Sequence, residues 1–203
     1  MSATIRPYSP ADLEALYDVC VRTAASGDDL TPLIGDRRLP GHLYAAPYGV
    51  LQPQLAFVAV DAVGVGGYVV GTGDTAQFEL SLESDWLPAL RVRYPQGAAR
   101  RDPDDRLISL LHHPPTQDAE VLDDHPAHLH IDLLPRVRGQ GLGRQLIERF
   151  ITEVARAGAS GVHVGVNPAN EPALAFYGRL GFEEIGTDRV SIVLGRRLDR
   201  APD

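Results

Sequence analysis

Nine residues, Arg136 to Arg144, read R-V-R-G-Q-G-L-G-R. An apolar run, His128 to Leu134, precedes them. An amphipathic run, Leu142 to Ala157, follows, with Leu142, Leu146, Ile147, Phe150, Ile151 and Val154 at helical spacing. Strand, glycine turn and helix start together present backbone amides that have no intrahelical partner, and the helix dipole adds partial positive charge there. Glycines let a phosphate approach the backbone closely. The turn is therefore expected to hold the pyrophosphate of a nucleotide-type cofactor. It is not a Walker loop, since no G-K-S/T follows, and glycines at 139, 141 and 143 do not make a dinucleotide fingerprint.

The run before the turn carries a second kind of chemistry. Leu129, Ile131 and Leu133 alternate with His128, His130, Asp132 and Leu134, so the polar groups share one face of a strand. Burial raises the pKa of a carboxyl in such a strand, which makes Asp132 the first choice for a general base. His128 and His130 are alternatives on the same face. As metal ligands the three would be strung too far along one strand to converge on one ion, so no metal is expected. Cys20 recurs with Leu13, Leu16, Tyr17 and Val21 on an apolar helical face and reads as core.

The elements around these residues follow from periodicity and breakers. Thr4 to Arg6 is a short strand, and Ser9-Pro10 opens a helix with Ser9 as N-cap. Residues 28–53 read as loops with one short helix around His42 to Ala46. Leu55 to Asp61 and Val63 to Thr72 form a hairpin. Residues 74–126 read as an insertion of helical pieces interrupted at Pro88, with a short helix at Leu107 to Leu111 and an acidic stretch at Asp118 to Asp124. After the long helix come a strand at Gly161 to Val166, a helix from Glu171 to Leu180, and strands at Phe182 to Gly186 and Val190 to Leu194.

Composition narrows the class. The 203 residues suit one domain spanning 1–203, with the inserted segment at about 74–126 inside it. A net charge of −8 argues against nucleic acid as a partner. All 19 basic residues are arginine. The single cysteine excludes an internal disulfide and a multi-cysteine metal site. The sequence has neither an apolar run long enough to span a membrane nor a signal-peptide start, so a cytoplasmic protein with no membrane partner is expected.

The segment Asn170 to Phe182, N-E-P-A-L-A-F-Y-G-R-L-G-F, completes a pattern. Strand, R-G-x-G-x-G, helix, strand and N-x-x-A-x-x-F-Y-x-x-x-G-F resembles the GCN5-related N-acetyltransferases over residues 55–72 and 127–197. S-D-W-L-P, H-I-D-L-L and V-N-P-A-N-E-P-A-L-A-F-Y are similar to the acetyltransferase-like domain at the C-terminus of O-GlcNAcase, of which this chain looks like a stand-alone bacterial-type relative. That eukaryotic domain lacks the glycine turn, which is kept here.

The resemblance implies an α/β fold: a mixed, mostly antiparallel sheet with splayed central parallel strands, flanked by helices, plus the helical insertion as a lid. It implies acetyl-CoA as co-substrate. The pyrophosphate would rest on amides of Arg138, Gly139, Gln140, Gly141, Leu142, Gly143 and Arg144, and the pantetheine arm on the backbone of Leu133 and Leu134, whose amides would polarise the acetyl carbonyl. Asn170 would contact the cofactor arm, cap the helix beginning at Glu171, or do both. Tyr177 matches the family's general acid, and a phenol suits a proton donor to a thiolate. The expected activity is direct acetyl transfer to an amine in a ternary complex. Trp86 and His130 are candidates for the acceptor side. Residues 74–126 hold 11 Asp/Glu against 5 Arg, which suggests a small cationic amine or a basic peptide as acceptor. A non-catalytic acyl-CoA-binding or protein-interaction module is the alternative. The C-terminal strand could pair in a homodimer.

Overall fold

The structure is a computed structural model, and it describes residues 3–97, 101–188 and 190–198. Strand β1 (Thr4–Pro7) leads through a 3-10 turn, Pro10–Asp12, into α1 (Leu13–Val21). Helices α2 (Leu39–Tyr44) and α3 (Ala46–Leu51) precede the hairpin β2 (Phe57–Asp61) and β3 (Gly64–Thr72). The insertion supplies α4 (Thr75–Ser81), a π-helical turn (Leu82–Trp86), α5 (Leu87–Arg93), α6 (Asp102–His112) and α7 (Ala119–Asp124). Then follow β4 (Ala127–Leu133), α8 (Leu142–Arg156), β5 (Gly161–Val166), α9 (Glu171–Gly178), β6 (Glu183–Thr187) and β7 (Ile192–Arg197).

The seven strands form one sheet in the order β1-β2-β3-β4-β5-β7-β6. Its neighbours are antiparallel except β4 and β5. That parallel pair registers only at Ala127↔Val162 and His128↔His163. Beyond His128 the two strands part, as the expected splay requires. β7 is paired on both sides, so the C-terminal strand is not an edge open to a second copy; the edges are β1 and β6.

Each sheet face has its own core. Leu146, Ile147, Phe150 and Val154 of α8, with Tyr177 and Phe182, cover Phe57, Val69, Leu129 and Val162 on one face. Leu16, Cys20, Tyr48 and Phe78 cover Val58, Tyr68 and Val70 on the other. β3 runs so close to β4 that a Cβ on Gly71 would lie 2.1 Å from the His128 carbonyl oxygen and 2.6 Å from the Phe150 ring. The run Gly64 to Gly67, G-V-G-G, is thin because its neighbours occupy the space: a Cβ on Gly67 would clash with Leu133 Cδ2.

A third core joins the insertion to the N-terminal third. Leu87, Leu90, Tyr94, Ile108 and Leu111 pack with Val21, Ile34 and Leu39. Asp104 of α6 is 6% exposed and accepts hydrogen bonds from the amides of Gly35 (2.8 Å) and Asp36 (2.7 Å). Asp104→Ala would leave both amides without an acceptor and is expected to lower unfolding free energy by about 1–3 kcal/mol, read by denaturant titration. An unchanged midpoint would show that solvent replaces the carboxylate at no cost.

Several elements differ from the sequence reading, and proline explains most of the difference. Residues 28–53 contain two helices, not one. Pro40 and Pro47 sit in their first turns, where a missing N–H breaks no helical bond. Pro88 likewise opens α5 rather than interrupting it, and the irregularity is the π turn before it. Helix α6 extends well ahead of Leu107, through an acidic first turn that favours the positive helix end. Ser9 caps the short 3-10 turn. Its amide donates to Asp12 Oδ2 at 2.9 Å, and Arg6 holds the same carboxylate with two 2.7 Å bonds.

Candidate active site

The glycine turn hangs from the end of β4 and delivers the chain into α8. Gly139 and Gly141 have φ of +75° and +76°, a region that side chains disfavour. Gly143 is small for another reason: a Cβ there would come within 3.2 Å of Leu133 and 3.1 Å of Phe176. The first helical bond after the turn is Gln145 N–H to Gly141 O. Among the described residues, the amides from Gly139 to Arg144 have no backbone acceptor outside α8, and the first turn of a helix offers none within it. Arg138 belongs to the turn's support. Its amide donates to Pro135 O (3.2 Å), and its guanidinium bridges Leu133 O (2.7 Å) and Gly27 O (2.6 Å). The free amides therefore begin at Gly139, not at Arg138.

The register of β4 decides which of its amides face the gap. Leu134 N–H donates to Gly66 O at 2.8 Å, so Leu134 is spent on β3. Alternation then turns the peptide groups of Asp132 and His130 toward β3 as well, and those of Ile131 and Leu133 toward the parted β5. The amides open to the gap are those of Ile131 and Leu133, rather than Leu133 and Leu134.

Tyr177 and Asp132 lie on opposite faces of this gap. Tyr177, 5% exposed, stands on α9 between Phe176 and Phe182 in the α8-side core. Its hydroxyl has no partner among the described residues, yet it is not sealed from solvent. Burial pushes the phenol above its ordinary value, and the Asp132 charge adds to that. Asp132 projects into the other face, where it accepts the Tyr68 hydroxyl hydrogen bond. Burial raises its carboxyl above the usual range, against the opposing pull of Tyr68. Asn170 is a helix cap, with its Oδ1 accepting from Ala173 N–H at 3.2 Å.

His130 shares the Asp132 face and lies against the rings of Tyr44 and Tyr48, at 5.6 and 5.2 Å between centroids. Burial and nearby His163 depress it to about 4, so it is neutral at pH 7. Trp86 is elsewhere. Its indole donates to His42 O at 2.9 Å and packs into the third core, away from the contacts of His130 and Asp132. Sequence reasoning missed Tyr44, Tyr48 and Tyr68. The first two stand four residues apart in a stretch read as loops with one short helix around His42 to Ala46, and that spacing was the available signal.

A groove of about 860 Å³ opens between α7 and strands β6 and β7. Asp118, Glu120, Glu183 and Arg196 line it, Asp124 there is paired with Arg197, and none of the residues at the β4–β5 gap borders it.

Residues 84–182 match the acetyltransferase (GNAT) family. The chain is 26% identical to Protein O-GlcNAcase of Rattus norvegicus over 96% of its own length, but it spans only 22% of that protein. It is 33% identical to Peptidyl-lysine N-acetyltransferase YjaB of Salmonella typhimurium over 54% of this chain and 61% of that one. The crystal structure of SsHAT is 44% identical and superposes with a TM-score of 0.90, covering 97% of this chain and 98% of SsHAT. With the parted β4 and β5 and the unpartnered turn between β4 and α8, these likenesses make the chain a member of the acetyltransferase (GNAT) family.

Proposed function

We propose that the protein is an acetyl-CoA-dependent N-acetyltransferase that transfers the acetyl group directly to an amine in a ternary complex. The observation that carries this reading is the gap between β4 and β5. Unpartnered turn amides lie at its mouth, the free amides of Ile131 and Leu133 on its wall, Tyr177 on one face and Asp132 on the other. The amides from Gly139 to Arg144 hold the pyrophosphate, and Asn170 flanks the cofactor arm. An acceptor ammonium gives a proton to Asp132, whose raised pKa suits it to take one at neutral pH. The neutral amine then attacks, and the Ile131 and Leu133 amides donate to the oxygen on which charge develops. Collapse expels the CoA thiolate, which takes a proton from Tyr177. The amide nitrogen loses its second proton, which restores the phenol.

Cys20 supports direct transfer over a thiol relay. It is 2% exposed, and burial pushes its thiol upward, away from the reactive thiolate. The excess of acid in residues 74–126, 11 Asp/Glu against 5 Arg, supports a cationic acceptor, a small amine or a basic peptide. If neutral amines were preferred and salt had no effect on KM, that part would be wrong. A single domain of 1–203 with residues 74–126 roofing the acceptor side, and a cytoplasmic setting, complete the reading. None of the described helices is long and apolar enough to cross a membrane.

Calorimetry with acetyl-CoA and detection of released CoA with an amine panel test the two halves separately. Gly141→Val is the sharper probe. A β-branched residue at a φ of +76° costs about 1–2 kcal/mol of strain and puts methyls where the phosphate would lie, so the acetyl-CoA Kd should rise about tenfold or more. Parent-like affinity would remove the turn from the binding site.

A further inference from the structure

A chain of hydrogen bonds runs beneath His130 through three elements. Thr75, the first residue of α4 in the insertion, places its Oγ 2.7 Å from Pro126 O and 2.7 Å from His128 Nδ1. His128 Nε2 lies 2.8 Å from the Tyr48 hydroxyl on α3, which lies 3.1 Å from His130 Nε2. Every link after the first could be drawn in either direction. The first cannot, because a carbonyl oxygen only accepts. At 2.7 Å from it, Thr75 must spend its single hydroxyl proton on Pro126 O.

The polarity then propagates. Thr75 Oγ is left to accept, so His128 donates from Nδ1–H. His128 is half-buried, and its loss of solvent holds it neutral, which leaves its Nε2 bare to accept from the Tyr48 O–H. The Tyr48 oxygen in turn accepts from His130 Nε2–H. His130 is neutral too, so its Nδ1 carries a lone pair. That atom has no partner among the described residues and is not closed off from solvent. It shares a strand face with Asp132.

We infer that His130 Nδ1 accepts a hydrogen bond from the N–H of the incoming amine, and that Tyr48, His128 and Thr75 are positioning residues that fix the required tautomer. Resting on the acetyl-transfer reading above, this role gives a primary ammonium two acceptors on one wall, the Asp132 carboxylate and a neutral imidazole. It also gives the insertion a part in the site, since Thr75 sets the polarity of the whole chain. The groups facing His130 are Tyr44 from α2, Tyr48 from α3, His128 and Asp132 from β4, and His163 across from β5.

Two measurements test it. Nitrogen-15 NMR of the imidazoles should show His130 as the Nε2–H tautomer and His128 as Nδ1–H, and Thr75→Val or Tyr48→Phe should mix the His130 tautomers. Adding an α-N-acetylated lysine peptide to the CoA-bound protein should then move the His130 Nδ1 resonance. In turnover with the same peptide, His130→Leu and Tyr48→Phe should each raise the peptide KM about tenfold or more, the usual loss for a hydrogen bond to a charged group, at unchanged acetyl-CoA Kd. His130→Asn, whose amide oxygen can stand near the Nδ1 position, should recover most of that loss. A Nδ1–H tautomer at His130, or equal KM changes in the Leu and Asn variants, would overturn the role. Binding of acetyl-CoA without CoA release and without any His130 shift for the peptide would sink the acetyl-transfer reading itself, and this role with it.

Discussion

Asp132→Asn is expected to lower kcat/KM for a cationic acceptor by about 10²–10⁴-fold, the range for removing a positioned general base, and to make the protein more stable at neutral pH. Both effects have one origin. Burial raises the Asp132 carboxyl above its ordinary 3.8. A carboxyl whose folded pKa is raised contributes stability that is fully present below its unfolded value and is lost as pH rises through the folded one. Above the ordinary carboxylate range the side chain is therefore a cost to the fold, which asparagine avoids while still accepting the Tyr68 hydroxyl. Melting curves of parent and variant should differ at pH 7.5 and draw together near pH 4. The acid limb of the pH–rate profile, where Asp132 becomes protonated, should vanish in the variant. Parent-like rates with the same limb would remove Asp132 as the base.

Acid should unfold the protein well above the carboxylate range, because several histidines are buried neutral. His42 is 5% exposed and depressed to about 4, chiefly by burial, with the Arg38 and Arg93 charges adding to it. Its Nδ1 meets the Tyr17 hydroxyl at 2.8 Å, but its Nε2 is buried without a partner, so the imidazolium would hold an Nε2–H that has no acceptor. His128, His130 and His163 are depressed for the same first reason. For a base held low in the fold, the unfolded chain binds more protons. Its stability contribution is present above the ordinary 6.5 and is lost as pH falls toward the folded value. Over the first unit and a half below 6.5, His42 alone should cost about 2 kcal/mol, at roughly 1.4 kcal/mol per pH unit. The histidines act opposite to Asp132 and outnumber it. Denaturant titrations at pH 7.5, 6 and 5 should show stability falling steeply, and His42→Gln should flatten the curve. A profile level from 7 to 5 would contradict neutral burial of these side chains.

The sequence shows this site unevenly, and the reasons are local. The alternation from His128 to Leu134 and the apolar stripe of α8 are legible because each packs one face against one partner. The turn is legible because glycine at positive φ has few other uses. Helices α2, α3 and α5 were obscured by prolines, which read as breakers until their position in a first turn is known. Which β4 amides face the gap is a matter of register with β3, and one strand's pattern does not contain its partner's register. Tyr48, Tyr68 and Thr75 come from α3, β3 and α4, and only the packing brings them under one strand. Trp86 stood out by its rarity, yet rarity says nothing of place, and the indole belongs to the third core.

The separation of β4 from β5 beyond the matched pair His128 and His163 leaves a gap in the sheet, with Tyr177 on one face and Asp132 on the other. Such an opening has two mouths. Under the proposed function the thioester enters at the α8 mouth and the amine at the Asp132 mouth, so neither ligand stands in the other's way out. Traffic through the site then has no built-in queue: either substrate can arrive first and either product can leave first. A molecule that joined an amine to the CoA sulfur through a short linker would reach through both mouths at once, with the effective concentration that tethering gives.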